Sequence, residues 1–238
     1  MKRMISDTLV MSGRVAKQLT RSVDTVITVL IMPIMMLLAF VYVFGSDMKL
    51  DGIGAADYML PGAMLMAVMS GVAYTGYRLH MDIRNGIFER FRSLPVARSS
   101  ILGGHVAVSV VSNLVSVYAV VLAGLLIGFR PQASFAQWLL ATVLVLLFVT
   151  ALTYVAVFFG TVSKSPETVG IFSYVLIALG FVSSSFAPIS SMPGGLAAFA
   201  RYNPMSAIAD SIRLLLLGQS PGNRLWLALA WCVIVSAV

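Results

Sequence analysis

Residues 23–44 read VDTVITVLIMPIMMLLAFVYVF, an apolar run whose one charge is Asp24 and whose one interruption is Pro33. A helix needs roughly 20 such residues to cross the hydrocarbon core of a bilayer. This stretch is therefore long enough to span one. It starts too late and runs too long for a cleaved secretory leader, whose short apolar core precedes a small-residue cleavage site. It reads instead as a retained signal-anchor. The same ruler predicts further spans at 58–77, within 101–129, near 135–160 and near 168–186. The last apolar run, Leu225–Val238, is short for a crossing. It is expected to be the incomplete part of a sixth helix, with the biological chain continuing further.

Composition points the same way. The chain is 59% hydrophobic and 11% charged, whereas soluble domains carry about 25% charged residues. Such a chain cannot be closed with a polar surface in water. The net charge of +7 comes from 16 Lys+Arg against 9 Asp+Glu, and short basic loops facing anionic lipid explain it better than nucleic acid does. Cys232 is the single cysteine, which excludes a disulfide framework or a thiolate zinc site. The sequence contains no G-x-x-x-x-G-K-[ST], H-E-x-x-H or G-x-S-x-G motif. No metal or base assignment is made for His80, read in a cytoplasmic loop, or for His105, read near a membrane boundary.

Basic residues set the expected orientation. Lys2, Arg3, Arg14, Lys17 and Arg21 precede the first span, Arg78, Arg84, Arg90, Arg92 and Arg98 follow the second, and Lys164 follows the fourth. They outnumber the basic residues of the opposite loops, so the positive-inside rule places the N-terminus in the cytoplasm.

Two segments outside the spans are more informative. Residues 82–94 read DIRNGIFERFRSL, with Ile83, Ile87, Phe88, Phe91 and Leu94 on one helical stripe and Pro95 as a stop. This predicts a short amphipathic helix suited to a membrane surface or a partner's groove. Residues 6–21 suggest a second interfacial helix, with a disordered basic tail as the alternative. Between 187 and 219, Pro188, Pro193, Gly194 and Gly195 precede a run containing Asp210 and Arg213. Charges are costly at the bilayer centre, so this region is read as half-depth helices dipping in from outside, with a surface loop as the alternative. Asp210 and Arg213 lie three apart and share a helix face.

Within the spans, Ser109, Ser112, Asn113 and Ser116, and the spaced small residues Ala63, Ala67 and Gly71, read as helix-packing features. Met32 and Met36 in the first span and Met66 and Met69 in the second are candidates for an adaptable apolar substrate path, with Phe172 of the fifth. Lipid or core packing is the competing reading.

The stretch Gly86-Ile87-Phe88-Glu89-Arg90-Phe91-Arg92-Ser93-Leu94-Pro95-Val96-Ala97-Arg98, followed by Ile101-Leu102-Gly103-Gly104, resembles the ABC-2 type permeases of bacterial exporters, closest to the daunorubicin-resistance type. Pro33, Tyr58-Met59-Leu60-Pro61-Gly62, and Asn203-Pro204 followed by Asp210, Arg213 and Gly218 extend the resemblance over nearly the whole chain. The resemblance implies an all-α polytopic membrane protein: a single domain, residues 1–238, in the bacterial plasma membrane, with six transmembrane helices, an N-terminal interfacial helix, a cytoplasmic coupling helix and an outer re-entrant helical hairpin. It implies two permease copies bound to two ABC ATPase subunits, which use ATP and Mg, while this chain binds no cofactor and is no enzyme. Gly86, Phe88, Glu89, Arg90, Phe91, Arg92 and Leu94 would then couple to the ATPase, and Asn203, Pro204, Asp210 and Arg213 would belong to the re-entrant region. An amphipathic drug-like or lipid-like solute is the expected cargo.

A secondary transporter acting alone and a non-transporting scaffold are the alternatives. No span shows an unpaired carboxylate near its middle, which argues against proton coupling. A compact polar-faced cytoplasmic helix argues against the scaffold.

Overall fold

The computed structural model describes residues 2–45, 53–92 and 98–237, and within them every regular element is helical. Helix α1 (Lys2–Arg21) is joined at Ser22 to α2 (Val23–Val43). Then follow α3 (Ala55–Arg84), the short α4 (Ile87–Arg92), α5 (Arg98–Leu126), α6 (Phe135–Val162), α7 (Pro166–Phe181), α8 (Gly194–Tyr202), α9 (Pro204–Leu216) and α10 (Gly222–Ser236). Four of these, α2, α3, α5 and α6, are long and apolar enough to cross a membrane, while α7 with 16 residues and α10 with 15 are shorter apolar helices. The fold is thus all-α and largely membrane-embedded.

Local chemistry sets the boundaries. Ser134 caps α6 by accepting from the Gln137 N–H, and the Gln137 side chain accepts from the Ser134 N–H in return. Ser165 caps α7 and Pro166 fills its first position, where the missing N–H has no partner to lose. Wide π-type turns at Ile27–Ile31 and Phe40–Phe44 flank the segment of α2 that contains Pro33. The first of them directly precedes the point where the proline ring denies an N–H to the carbonyl four residues back.

Polar and apolar residues are distributed opposite to the pattern in a soluble protein. Leu122, Leu126, Leu139, Leu147 and Ile171 are exposed, whereas Thr75, Ser109, Asn113 and Thr153 are buried between helices. Thr75 Oγ1 donates to Ser109 Oγ at 3.0 Å, Ser109 Oγ lies 3.0 Å from Thr153 Oγ1, and Asn113 Nδ2 donates to the Ser109 carbonyl at 2.8 Å. This network joins α3, α5 and α6 where lipid offers no alternative partner.

α3 is the central element. It packs against α2, α5, α6, α7 and α9, and Ala63, Ala67, Val68 and Val72 are sealed inside. It also corrects the predicted second span, running on past Tyr77 to Arg84 because Leu79, His80 and Asp82 bury against neighbouring helices. His80 is therefore a helical residue, not a loop one, with Nδ1 3.3 Å from the Gly160 carbonyl.

Sequence reading finds the Ala63, Ala67 and Gly71 stripe but misses a backbone-to-backbone approach between Gly76 of α3 and Gly160 of α6. A Cβ on Gly160 would lie 2.7 Å from the Gly76 carbonyl oxygen, a backbone atom that cannot swing away. Ordinarily Gly→Ala in a helix gains about 1 kcal/mol. Here the sign reverses: Gly160→Ala should lower the apparent unfolding temperature in detergent, with overpacking costing about 1–3 kcal/mol. The control Gly170→Ala, whose Cβ meets its nearest neighbour only at 3.9 Å, should leave that temperature unchanged or raise it.

Candidate functional site

Two polar constructions lie at opposite ends of α3. The first gathers at its Arg84 end. Asn85 caps the helix and Gly86, at φ +68°, turns the chain through the left-handed region that glycine adopts without strain. The continuous helix predicted over 82–94 is therefore broken at Asn85–Gly86. Its first turn belongs to α3, and only Ile87–Arg92 forms a separate helix. Ile87 and Phe88 are half-buried and Glu89 is exposed, while Arg90, Phe91 and Arg92 complete the helix. Leu94 and Pro95 lie outside the described residues.

Asp82 likewise departs from the amphipathic reading, being buried at 3% exposure. Its Oδ2 lies 3.3 Å from Arg14 Nη2 of α1 and 3.4 Å from His105 Nε2 of α5. Two further contacts fix α1 to α3. Arg78 Nη2 donates to the Gln18 carbonyl at 3.4 Å, and the Tyr74 hydroxyl accepts from Thr25 Oγ1 at 2.6 Å just beyond α1. These contacts step along the two helices in opposite order. On α5, Gly103 and Gly104 leave room for α1: a Cβ at Gly104 would lie 2.8 Å from Met11 Cβ. Residues 2–21 are therefore a docked helix with Met11 and Val15 buried, not a disordered tail. Arg84 Nη1 donates to the Lys164 carbonyl at 3.2 Å, bringing the α6–α7 connection to the same end.

The second construction lies at the Asp57 end. There the chain between α7 and α8 is irregular except for a single 3-10 turn at Ile189–Ser191. Asn203 ends α8 and caps α9, where its Oδ1 accepts from the Met205 N–H, and its Nδ2 donates to the Leu179 and Val182 carbonyls at 2.8 and 2.6 Å. Pro204 occupies the first position of α9.

The expected Asp210–Arg213 pair forms, with Arg213 Nη1 2.6 Å from Asp210 Oδ1, but the pair is one part of a larger network. Arg213 Nε donates to the Tyr58 carbonyl at 3.0 Å, Nη2 donates to the Ser184 carbonyl at 2.7 Å, and the guanidinium lies 3.9 Å from the Tyr58 ring centroid. Asp210 also accepts from Ser184 Oγ at 2.6 Å and faces Arg224 Nε of α10 at 3.7 Å. The loop can approach because Gly62 has no side chain: a Cβ there would lie 2.6 Å from the Ser185 carbonyl oxygen. Tyr58, Gly62 and Ser184, distant in sequence, were not read as part of this site.

The candidate path residues do not converge on one cavity. Met32 is 60% exposed, and Met36 packs half-buried against the core. Met66 and Met69 are buried, with Met69 filling the space over Gly180 of α7. Phe172 stacks on Phe159 at 5.1 Å and borders a groove of about 660 Å³ between α6, α7 and α10. Among the described residues, no cluster of three or more His, Cys, Asp or Glu could hold a metal ion.

Arg213→Met should destabilise the protein by about 3–5 kcal/mol, because Asp210 loses its nearer counter-charge, keeping Arg224 at 3.7 Å, and two carbonyls lose their donor. Arg213→Lys keeps the charge but not the planar fork and should fall between. Thermal unfolding in detergent, followed by circular dichroism, should rank wild type above Arg213→Lys above Arg213→Met.

Comparison with known proteins places the chain in a family. The chain is 33% identical to the "Daunorubicin resistance ABC transporter permease protein DrrB1" of Streptomyces coeruleorubidus, over 82% of this chain and 69% of that one. It is 22% identical to the "Probable doxorubicin resistance ABC transporter permease protein DrrC" of Mycobacterium tuberculosis H37Rv, over 90% of this chain and 78% of that one. Residues 7–217, from within α1 to the end of α9, match the profile described as ABC-2 type transporter. The chain therefore belongs to the ABC-2 type transporter family and is a membrane permease component of an ABC exporter system related to drug-resistance transporters.

Proposed function

We propose that two copies of this chain, each a single domain, pair with two ABC ATPase subunits in a bacterial plasma membrane and export an amphipathic drug-like or lipid-like solute. Family membership implies the ATPase partner. The basic Arg84 end then faces the cytoplasm, as the positive-inside rule requires. On this reading α7 and α10 are the fifth and sixth crossings, α1 is the interfacial helix, and α8–α9 is a re-entrant hairpin entered from outside. The burial of nearly all of α9, Arg213 included, supports a hairpin over a surface loop.

The observation that carries the mechanism is the geometry of α3. It runs 30 residues, about 45 Å at 1.5 Å per residue, from the Arg213 network to Gly86. One rigid helix thus links the short α4 to the opposite end of the bundle. ATP-driven closure of the ATPase pair pushes on α4 through Gly86, Phe88, Glu89, Arg90, Phe91, Arg92 and Leu94, and α3 carries the displacement as a rod. The exposed apolar faces of α2 and α7, with Met32 and Tyr174 outward, supply the surfaces that separate or close between the two copies. The candidate path runs beside them, past Met36, Met66, Met69 and Phe172.

Proton coupling in a lone carrier finds less support, since the buried Asp82 near the end of α3 and the half-buried Asp210 in the middle of α9 are both paired with arginine. Reversing charge with Glu89→Arg and Arg92→Glu should cut ATP-driven substrate release from proteoliposomes by about tenfold or more, the loss expected at a charged interface anchor. Membrane insertion should be unchanged and co-purification of the ATPase weakened. Undiminished export and co-purification in the double variant would reject α4 as the coupling element.

A further inference from the structure

Outside these constructions, a groove of about 610 Å³ lies between α1, the start of α2 and α5. α1 is pinned at Met11 against Gly104 and again where Ser22 meets α2, and between these points it stands away from α5. The lining is apolar, with Leu9, Ala16, Val29, Val108, Val111 and Val115 prominent. Four of its hydroxyls are already committed, Ser116 being the exception: Ser12 Oγ donates to the Thr8 carbonyl, Thr20 Oγ1 to Ala16, Ser112 Oγ to Ser109 and Thr25 Oγ1 to the Tyr74 hydroxyl. A polar solute would find few partners there, whereas a hydrocarbon chain fits the apolar lining. Leu9, Val111 and Val115 are more than 60% exposed, so the groove opens sideways toward the surface that α5 turns to lipid.

Charge identifies the other half of the occupant. Lys17 and Arg21 directly follow the lining residues Ala16 and Thr20 along α1, flanking the groove with long side chains. Both are exposed and neither forms an ion pair among the described residues, in contrast to Arg14, which faces Asp82, and Arg78, which stacks 5.2 Å from the Tyr74 ring centroid. The nearest acidic residue along the chain, Asp24 in the first turn of α2, pairs with neither. Two cations that are unpaired among the described residues, beside an apolar trough, match an anionic headgroup joined to an acyl chain.

We propose that this groove is a site for an anionic glycerophospholipid, one acyl chain lying between α1 and α5 and the phosphate held by Lys17 and Arg21. The lipid fills the space under the middle of α1 and so braces the helix that holds Asp82. This assignment does not depend on what the protein exports.

Native mass spectrometry of the full chain in detergent tests it, using equal concentrations of dioleoyl phosphatidylglycerol and dioleoyl phosphatidylcholine. Wild type should retain the glycerol lipid over the choline lipid on the order of tenfold, as two cations near an anionic headgroup predict. Lys17→Gln with Arg21→Gln should bring the ratio near one while lipid is still retained. Gly13→Leu should lower retention of both lipids several-fold. A Cβ at Gly13 meets nothing within 4 Å, so this substitution fills the groove while favouring the helix, and the circular dichroism should be unchanged. Equal retention by wild type, or unaltered binding in either variant, overturns the proposal. Chain-to-chain disulfides in liposomes from Val111→Cys would overturn it too, by showing that a second copy covers the groove.

Discussion

One guanidinium organises the Asp57 end of this protein. Buried backbone that is neither helix nor sheet needs partners for its carbonyls, and residues 183–185 after α7 are such backbone. Arg213 answers part of this need by donating to the carbonyls of Tyr58 and Ser184 while pairing with Asp210. Each member requires the others. The charge is tolerable because Asp210 neutralises it, Asp210 is held by Ser184 Oγ, and the Ser184 N–H is in turn held by Ser206 Oγ at 3.0 Å. A fixed loop on a fixed helix end follows, and α3 starts from it.

The opposite end is built on the same principle with different parts. Asp82 is a buried carboxylate within reach of Arg14 and His105, so three helices meet at one charge. Between the two ends α3 is held by the Thr75–Ser109–Thr153 bonds and by the Gly76–Gly160 approach. A helix clamped at both ends and along its length is suited to move as a unit. On the proposed reading, this connects a chain with no catalytic motif to an ATP-driven partner: work done at α4 would reach the far side of the bundle through α3.

Much of this was legible in the sequence where one physical term dominates. Hydropathy located α2, α5 and α6 to within a few residues, since lipid thickness fixes helix length. The three-residue spacing of Asp210 and Arg213 gave their pairing, because helix geometry is local. Reading failed where contacts are long-range. Ile83, Ile87 and Phe91 keep a helical period across Gly86, so the pattern ran through a break that only the glycine's left-handed turn reveals. Asp82 read as the start of a separate amphipathic helix and His80 as a loop residue because their partners Arg14, His105 and the Gly160 carbonyl lie far along the chain. Glycines spaced for close approach at Gly76 and Gly160 carry no local signal separating them from Gly13 or Gly170, where the space is open or ordinary.

The central claim is that α3 transmits motion as a rigid element between α4 and the Arg213 network. Double electron–electron resonance on the complex reconstituted with its ATPase tests it most directly, with spin labels at the exposed positions Asn85 and Gln219, at opposite ends of the bundle. Between the nucleotide-free and ATP-bound states, the account predicts an unchanged distance from 85 to 219 within one chain and a shifted distance between the two copies' labels at 85. A within-chain distance that changes on ATP binding, with the distance between copies constant, would contradict it.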